Sequence, residues 1–281
     1  MQIDRVMTPD PITIGAATDL DHALQMMDDH DVRHLPVVDD AGSLVGIVSD
    51  RDLLGHVGWT PALTQAGRDA HAREPGPQRV EQIMHASVST VSPKDTVVTV
   101  AVDLTVERIG CLPVVEDGRL VGLVSEMDLL AASWRVTRDE GLGPEADPAV
   151  TDCMSRSPIT VPFDMPVAEV AEVCRAAHVR HVMVADDGKH LRGVISDRDL
   201  RAACAHGGPG DNTAGTIMAS YPQTLAPGDR MSDAAERMVG HHFSCLPVVD
   251  GGELVGVLTL TDMIDHCLST LRDPEPGGNQ K

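Results

Sequence analysis

Four copies of one short pattern hold the residues of this sequence that are best suited to bind a ligand. In each copy a glycine within an apolar run is followed three residues later by serine or threonine, and after three more by aspartate. A hydroxyl residue that opens a helix leaves backbone N–H groups pointing outward, where an anion can bind. The aspartate can accept hydrogen bonds from a ribose diol, and the glycine permits close approach of a ligand to a strand. The four copies are Gly46-Ser49-Asp52, Gly122-Ser125-Asp128, Gly193-Ser196-Asp199 and Gly256-Thr259-Asp262.

The same spacing also has a purely local explanation. Serine or threonine followed three residues later by an acidic residue, ahead of an apolar run, is typical of a capping box at a helix start. The sequence leaves the ligand-binding and capping interpretations open.

Two copies place an arginine between the hydroxyl residue and the aspartate. Arg51 and Arg198 are cations just inside a predicted helix start, where a positive charge opposes the helix dipole. A bound phosphate would account for them, and an ion pair with the preceding aspartate is the alternative. The other two copies have Glu126-Met127 and Leu260-Thr261 between the hydroxyl residue and the aspartate, without an arginine, so their sites are weaker candidates.

A histidine or a cysteine stands at one equivalent position in every copy, 27 residues after the methionine that opens it. We expect the histidines to line a cleft near phosphate or to lie in the core. Zinc is the less favoured alternative because each ligand would come from a different copy, so we predict no metal site. The four residues are His34, Cys111, His181 and Cys245.

The chain as a whole is four copies of one unit, and such repeats determine the fold. Copies one and three share Arg-His and Ser-Asp-Arg-Asp, whereas copies two and four share Cys-Leu-Pro-Val-Val, so the order is A-B-A-B. We call copies one and three the odd repeats and copies two and four the even repeats. The predicted repeats are 1–57, 80–134, 150–205 and 214–270.

The first repeat predicts the order β-α-β-β-α. PITI is typical of a short strand, and residues 18–30 have helical spacing with Thr18 as the expected N-cap. HLPVV and LVGIV flank a turn containing glycine, which predicts a hairpin, and SDRDLLGHV begins a final helix. One such unit is too small to bury its own sheet, so we expect an α/β fold in which repeats pair.

The segments between and after the repeats are rich in glycine, proline or charge. We expect the linkers around 58–79 and 136–149 to be mobile and the tail at 271–281 to be disordered. The repeats leave no room for a catalytic or DNA-binding domain.

The unit length, the L-P-V-V-D…G-x-V-S-D-R-D-L pattern and the β-α-β-β-α order resemble cystathionine-β-synthase-type (CBS) domains across all four copies. The resemblance implies an α/β fold of four CBS repeats paired into two Bateman modules, which assemble as a flat disc. Clefts within such modules commonly hold adenine nucleotides, and similar four-copy chains serve as energy-sensing regulatory subunits.

The resemblance also implies which residues contact a nucleotide. The hydroxyl and aspartate positions meet phosphate and ribose, and a threonine in the first strand of each repeat reads the base through its backbone. The β-propensity of threonine is the alternative explanation for that residue. The principal predicted set is Thr13, His34, Gly46, Ser49, Arg51, Asp52, Thr160, His181, Gly193, Ser196, Arg198 and Asp199. The weaker candidates are Thr90, Ser125, Asp128, Thr224, Thr259 and Asp262.

Composition excludes several classes of function. The chain has 22 basic and 43 acidic residues among 281, a net charge of −21, which argues against nucleic acid as a partner. No apolar run approaches a membrane span, and the start lacks the plan of a signal peptide, so we expect a cytoplasmic protein away from membranes. The sequence has no complete P-loop, HExxH or G-x-S-x-G motif, which favours a protein that is not an enzyme.

The sequence therefore predicts a regulatory protein that binds AMP, ADP or ATP and signals to an unidentified protein effector. No cofactor is certain, and a homodimer is an alternative to a disc formed by one chain. The main competing prediction is a structural or interaction module with empty clefts, in which the aspartates only cap helices.

Overall fold

Each repeat is built around a β-hairpin whose second strand leads directly into a helix. The computed structural model describes residues 1–57, 77–107, 109–140, 147–205 and 212–271. The four hairpins are β3 (His34–Val38) with β4 (Leu44–Ser49), β5 (Cys111–Glu116) with β6 (Arg119–Ser125), β8 (His181–Asp186) with β9 (His190–Ser196), and β11 (Cys245–Asp250) with β12 (Glu253–Thr259).

Helices cover the sheets, and short strands complete them. The helices are α1 (Leu20–Asp29), α2 (Asp50–Val57), α3 (Val97–Glu107), α4 (Glu126–Glu140), α5 (Val150–Cys153), α6 (Val167–Ala177), α7 (Asp197–Ala205), α8 (Ala214–Ile217), α9 (Met231–His241) and α10 (Leu260–Leu271). The short strands are β1 (Thr8–Pro9), β2 (Ile14–Gly15), β7 (Thr160–Val161) and β10 (Ala219–Ser220), and 3-10 turns span Ile3–Arg5 and Val80–Gln82. No helix in the described parts of the chain is long and apolar enough to cross a membrane.

The predicted order β-α-β-β-α is confirmed, with local corrections in the first repeat. The strand predicted at PITI lies at its end, where Ile14 and Gly15 pair in parallel with β3. Thr18 is not the N-cap of α1, so that prediction is wrong. Asp19 holds this position in an extended conformation, and the carbonyl of Thr18 accepts the N–H of Val80 at 2.9 Å.

Neighbouring repeats exchange their opening segments. Strand β1 of repeat 1 pairs antiparallel with β6 of repeat 2, while His85 of repeat 2 bridges Ile47 of repeat 1. Strand β10 of repeat 4 pairs with β9 of repeat 3, while Ser155 of repeat 3 bridges Val257 of repeat 4. The exchange joins repeats 1 and 2 into one module and repeats 3 and 4 into the other.

The same geometry in all four repeats explains why glycine stands in the second hairpin strand. A β-carbon at Gly46 would lie 2.6 Å from Sδ of Met84, and one at Gly193 would lie 2.6 Å from Sδ of Met218. Gly256 faces Met154 in the same way, and Gly122 faces Met7. Each glycine therefore leaves room for the methionine that opens the partner repeat, a structural role that the sequence did not predict.

The two modules meet through two different contacts. Helices α3 and α4 of repeat 2 pack on α9 and α10 of repeat 4, and both repeats share one apolar core. We call this contact the even seam. Repeats 1 and 3 have separate apolar cores, and ion pairs join them. We call this contact the odd seam.

Candidate functional site

The candidate ligand-binding residues lie where the second hairpin strand ends and the following helix begins. In repeat 1, Ser49 ends β4 and pairs directly with His34 at the start of β3. In repeat 3, Ser196 pairs with His181 in the same register. Each predicted hydroxyl therefore lies across from the predicted histidine, and the even repeats match Ser125 with Cys111 and Thr259 with Cys245 in this way.

All four aspartates bond to the hydroxyl residue of their own repeat. The backbone N–H and Oγ of Ser49 donate to Oδ2 of Asp52 at 2.8 and 2.6 Å, and the N–H of Asp52 points back to Ser49 Oγ at 3.2 Å. Repeats 2, 3 and 4 repeat this arrangement. The capping interpretation thus describes the local geometry, but it uses only one carboxylate oxygen in each repeat.

The helix starts offer fewer free N–H groups than the sequence predicts. The N–H of Asp50, the first residue of α2, donates to the carbonyl of Arg33 at 2.9 Å. The N–H of Asp197, at the start of α7, donates to the carbonyl of Arg180 at 3.1 Å. Together with the capping bonds, these contacts consume most of the donors expected to meet an anion. A bound phosphate would therefore depend more on side-chain cations than on the helix N-terminus.

The second aspartate oxygen has different surroundings in the four repeats. In repeat 1, Nε2 of His85 lies 3.2 Å from Oδ1 of Asp52. Within the described residues, no hydrogen bond or ion pair reaches the equivalent oxygen of Asp128, Asp199 or Asp262. His85 is not among the residues predicted from the sequence, although it directly follows a methionine that opens a repeat.

The two predicted arginines have different partners. Nη2 of Arg198 lies 2.6 Å from Oδ1 of Asp31, across the odd seam, rather than pairing with its neighbouring aspartate. Arg51 is exposed and takes part in no ion pair within the described ranges. Its charge lowers the pKa values of Asp197 and Cys174 in repeat 3, against the larger effect of burial, which raises both. Both arginines thus face the opposite odd repeat.

Residues from all four repeats meet between the two modules. A β-carbon at Gly110 would lie 3.2 Å from Cε1 of His34 and 3.3 Å from a terminal nitrogen of Arg180. Nε2 of His181 lies 3.0 Å from the hydroxyl of Ser244. These residues begin or directly precede the first strand of each hairpin. We call the place where they meet the centre.

Burial controls ionisation at the centre. It lowers the pKa of His34 to about 4 and that of His181 to about 3, so both imidazoles are neutral at pH 7. Burial also lowers the pKa of Arg33 and raises that of Glu126, whose charge is favoured by Arg180 and Arg33. Arg33 and Arg180 are cations that were not predicted as site residues, because in the sequence the Arg-His pair serves only to distinguish the odd repeats from the even ones.

The cysteines at the centre are not arranged as metal ligands. Burial raises the pKa values of the Cys111 and Cys245 thiols, which disfavours the thiolate that a metal requires. Among the described residues, no group of three or more histidine, cysteine or acidic side chains is placed to hold a metal ion.

The four threonines predicted to read the base lie in or directly before the short segment that pairs in parallel with the first hairpin strand of each repeat. Thr160 pairs with Met183, and Thr13, Thr90 and Thr224 directly precede the equivalent pairs. In repeat 4 the carbonyl of Thr224 accepts Nη1 of Arg237 at 2.6 Å, so this backbone group is already engaged.

Comparison with known sequences agrees with the repeat structure. The CBS domain profile matches residues 3–58, 80–135, 150–206 and 214–269, which is most of the chain. The chain belongs to the CBS domain family. The four CBS repeats form two Bateman modules, as predicted from the resemblance.

Relatives share this family over parts of their length. The uncharacterized protein MJ1404 of Methanocaldococcus jannaschii is 30% identical over 189 residues, 64% of this chain and 42% of the relative. A CBS domain-containing protein of Dictyostelium discoideum is 34% identical over 129 residues, 46% of this chain and 88% of the relative.

Solved structures share the whole architecture. The crystal structure of protein MJ1225 from Methanocaldococcus jannaschii has a TM-score of 0.79 at 22% identity, covering 95% of this chain and 99% of that one. An uncharacterized protein from Pyrococcus horikoshii has a TM-score of 0.65 at 18% identity, covering 95% and 100%. At these identities the likeness concerns the fold.

Proposed function

We propose that this CBS protein is a non-catalytic regulator that binds adenosine-type nucleotides in the clefts of its odd repeats and signals to a partner protein. One observation carries the proposal. In each odd repeat an aspartate bonds to the hydroxyl residue that ends the second hairpin strand, and that hydroxyl residue pairs with a histidine directly preceded by an arginine. A carboxylate suits a ribose diol, and a guanidinium suits phosphate.

Charge favours the odd clefts over the even ones. In the odd repeats the residue before the hairpin is Arg33 or Arg180, whereas in the even repeats it is Gly110 or Ser244. Repeat 2 also places Glu126 near the centre, and an anion there would repel phosphate. We therefore propose the odd repeats as the principal nucleotide sites, with AMP, ADP and ATP as the ligands to test.

Four matched substitutions test this proposal. Asp52→Ala and Asp199→Ala remove a ribose acceptor from the odd clefts, and Asp128→Ala and Asp262→Ala remove the same cap from the even ones. A lost hydrogen bond to a charged group is worth about 1.5–3 kcal/mol, so in calorimetric titrations each odd variant should bind ATP roughly 10- to 150-fold more weakly at the altered cleft, while the other odd cleft still binds. The even variants serve as controls and should bind almost as the parent does.

The reciprocal caps in all four repeats favour one competing function, a structural module with empty clefts. In that case all four variants lose a similar cap, about 0.5–2 kcal/mol of stability, and no nucleotide binds to the parent. Thermal melting separates the two cases. A ligand at a hundredfold excess over its dissociation constant stabilises the fold by about 2.7 kcal/mol, so ATP should raise the melting temperature and UMP should not.

A further inference from the structure

One residue crosses from one repeat to the next to contact a candidate ribose site. We propose that His85 is a specificity-determining residue that makes the two odd clefts unequal, so that the cleft of Asp52 binds nucleotide more weakly than that of Asp199. This inference rests on the proposed function, and it adds a difference between two sites that the repeat pattern makes look equivalent.

The backbone holds His85 over the aspartate. The N–H of His85 donates to the carbonyl of Ile47 at 2.9 Å, and the N–H of Ile47 returns a bond to His85 at 3.1 Å. Met84, directly before it, fills the space that Gly46 leaves. These contacts fix the start of repeat 2 against strand β4, and the imidazole then reaches Asp52 across 33 positions of sequence.

The contact occupies the oxygen that a ribose needs. Oδ2 of Asp52 already accepts two bonds from Ser49, and Oδ1 lies 3.2 Å from Nε2 of His85. A ribose hydroxyl must therefore share Oδ1 with the imidazole or displace it. The His85 side chain is 67% exposed, which gives the ring room to swing away. We therefore expect His85 to weaken nucleotide binding at this cleft without preventing it.

Repeat 4 supplies the matched comparison. Ala219 holds the position equivalent to His85 and pairs with Val194 of repeat 3 in the same antiparallel manner. Its methyl group has no donor, and within the described residues the second oxygen of Asp199 accepts no hydrogen bond. The two odd clefts thus differ at this side chain contributed by the partner repeat, in addition to the different partners of Arg51 and Arg198.

A reciprocal exchange of that side chain tests the inference by calorimetric titration with ATP. In an Asp199→Ala background, which leaves the cleft of Asp52, His85→Ala should tighten binding about fivefold, the equivalent of one ordinary hydrogen bond. In an Asp52→Ala background, Ala219→His should weaken the remaining cleft by a similar factor. Unchanged or opposite affinities in both exchanges, with ATP still binding, would overturn the role of His85.

A sugar without hydroxyls separates competition at Asp52 from a structural effect. With 2′,3′-dideoxy-ATP no hydroxyl competes for Oδ1, so His85→Ala should leave the affinity unchanged. The same fivefold gain with this analogue would contradict the proposal. Absence of ATP binding to the unmodified protein would instead refute the proposed function itself.

Discussion

The even and odd seams join the same two modules by opposite means. At the even seam, helices of repeats 2 and 4 share one core that includes Leu130 and Ile264, both almost fully buried. At the odd seam, Arg198 pairs with Asp31, and Arg201 lies 3.3 Å from Asp28 and 3.8 Å from Asp50. Apolar burial stabilises without regard to charge, whereas buried ion pairs offset much of their attraction by desolvation.

Incomplete bonding makes the odd seam the more adjustable contact. Arg201 is 5% exposed, and its Nε and Nη1 atoms have no hydrogen-bond partner within the described chain. The proximity of Asp28 to Nη1 therefore lacks good hydrogen-bond geometry. Because the candidate nucleotide residues Arg51 and Arg198 also face this seam, the proposed ligand would act there rather than at the even seam.

The largest effect on stability is expected from a substitution that creates a cavity at the even seam. Leu130→Ala in α4 removes a fully buried side chain from the shared core and should lower the free energy of unfolding by about 2–5 kcal/mol. Urea unfolding measures this loss. Val106→Ala, at a position 75% exposed on α3, is the control and should change stability little. A loss below about 1 kcal/mol for Leu130→Ala would mean that the even seam does not carry the assembly.

The next largest effect on stability is expected from acidification, through the two histidines of the centre. Their pKa values fall to about 4 and about 3 in the folded state through burial, so the unfolded chain binds protons more readily near pH 6. The stability that they contribute is present above pH 6.5 and is lost as the pH falls. Between pH 7 and 5.5 we expect a loss of about 1 kcal/mol for each histidine.

Substitution isolates this contribution. A His34→Gln/His181→Gln protein should lose about 2 kcal/mol less than the parent on acidification, as measured by urea unfolding at both pH values. Leu130→Ala provides the matched control, because a cavity at the even seam should leave the pH dependence parallel to that of the parent. Equal slopes in the double variant and the parent would contradict the burial of neutral imidazoles.

A smaller effect of opposite sign is expected at Asp197. Burial, and then the charge of Asp50, raise the pKa of Asp197 to about 6 in the folded state. Its contribution is fully present below pH 4 and is lost as the pH rises through 6. The parent should therefore lose about 1 kcal/mol of unfolding free energy between pH 5.5 and pH 7 through this group. The Asp197→Asn variant should not show this loss. The same change in parent and variant between the two pH values would contradict the raised pKa of Asp197.

Sequence predicted the elements well because their signals are local and repeated four times. The spacing from Ser49 to Asp52 fixes a helix start whichever function it serves, and the hairpins follow from apolar runs around a turn. What the sequence could not supply depends on docking. The contacts of His85 with Asp52 and of Arg198 with Asp31 join residues far apart in the chain. No periodicity within one repeat encodes which side chain the neighbouring repeat presents.

The helix starts show how a correct local prediction can mislead about a site. The hydroxyl at position 49 opens a helix as expected, but the N–H groups expected to bind an anion are taken by Asp52 and by the carbonyl of Arg33. The bond to Asp52 is local, whereas the bond to the carbonyl of Arg33 is tertiary, since it requires the start of β3 to lie beside the helix start. The arginines then become the more important cations, and their partners decide how available they are.

The smallest effect on stability, and a measurable one on binding, is expected at the ion pair of the odd seam. Asp31 has a φ of 55°, a left-handed conformation that asparagine tolerates, so Asp31→Asn removes the charge without straining the backbone. Because both partners are about half or more exposed, the loss of stability should stay below about 1 kcal/mol. The freed Arg198 should then tighten ATP binding while leaving adenosine unaffected.

The chain offers a matched control for this last change. His178 is the equivalent residue in repeat 3, with a φ of 54°, and no ion pair within the described ranges joins it to Arg51. His178→Asn should therefore leave the ATP-to-adenosine ratio unchanged in calorimetric titrations, while Asp31→Asn raises it. If Asp31→Asn costs more than about 2 kcal/mol, or shifts ATP and adenosine alike, Arg198 is a structural cation. The odd seam would then be as fixed as the even one, because its charges would be committed to holding the modules together.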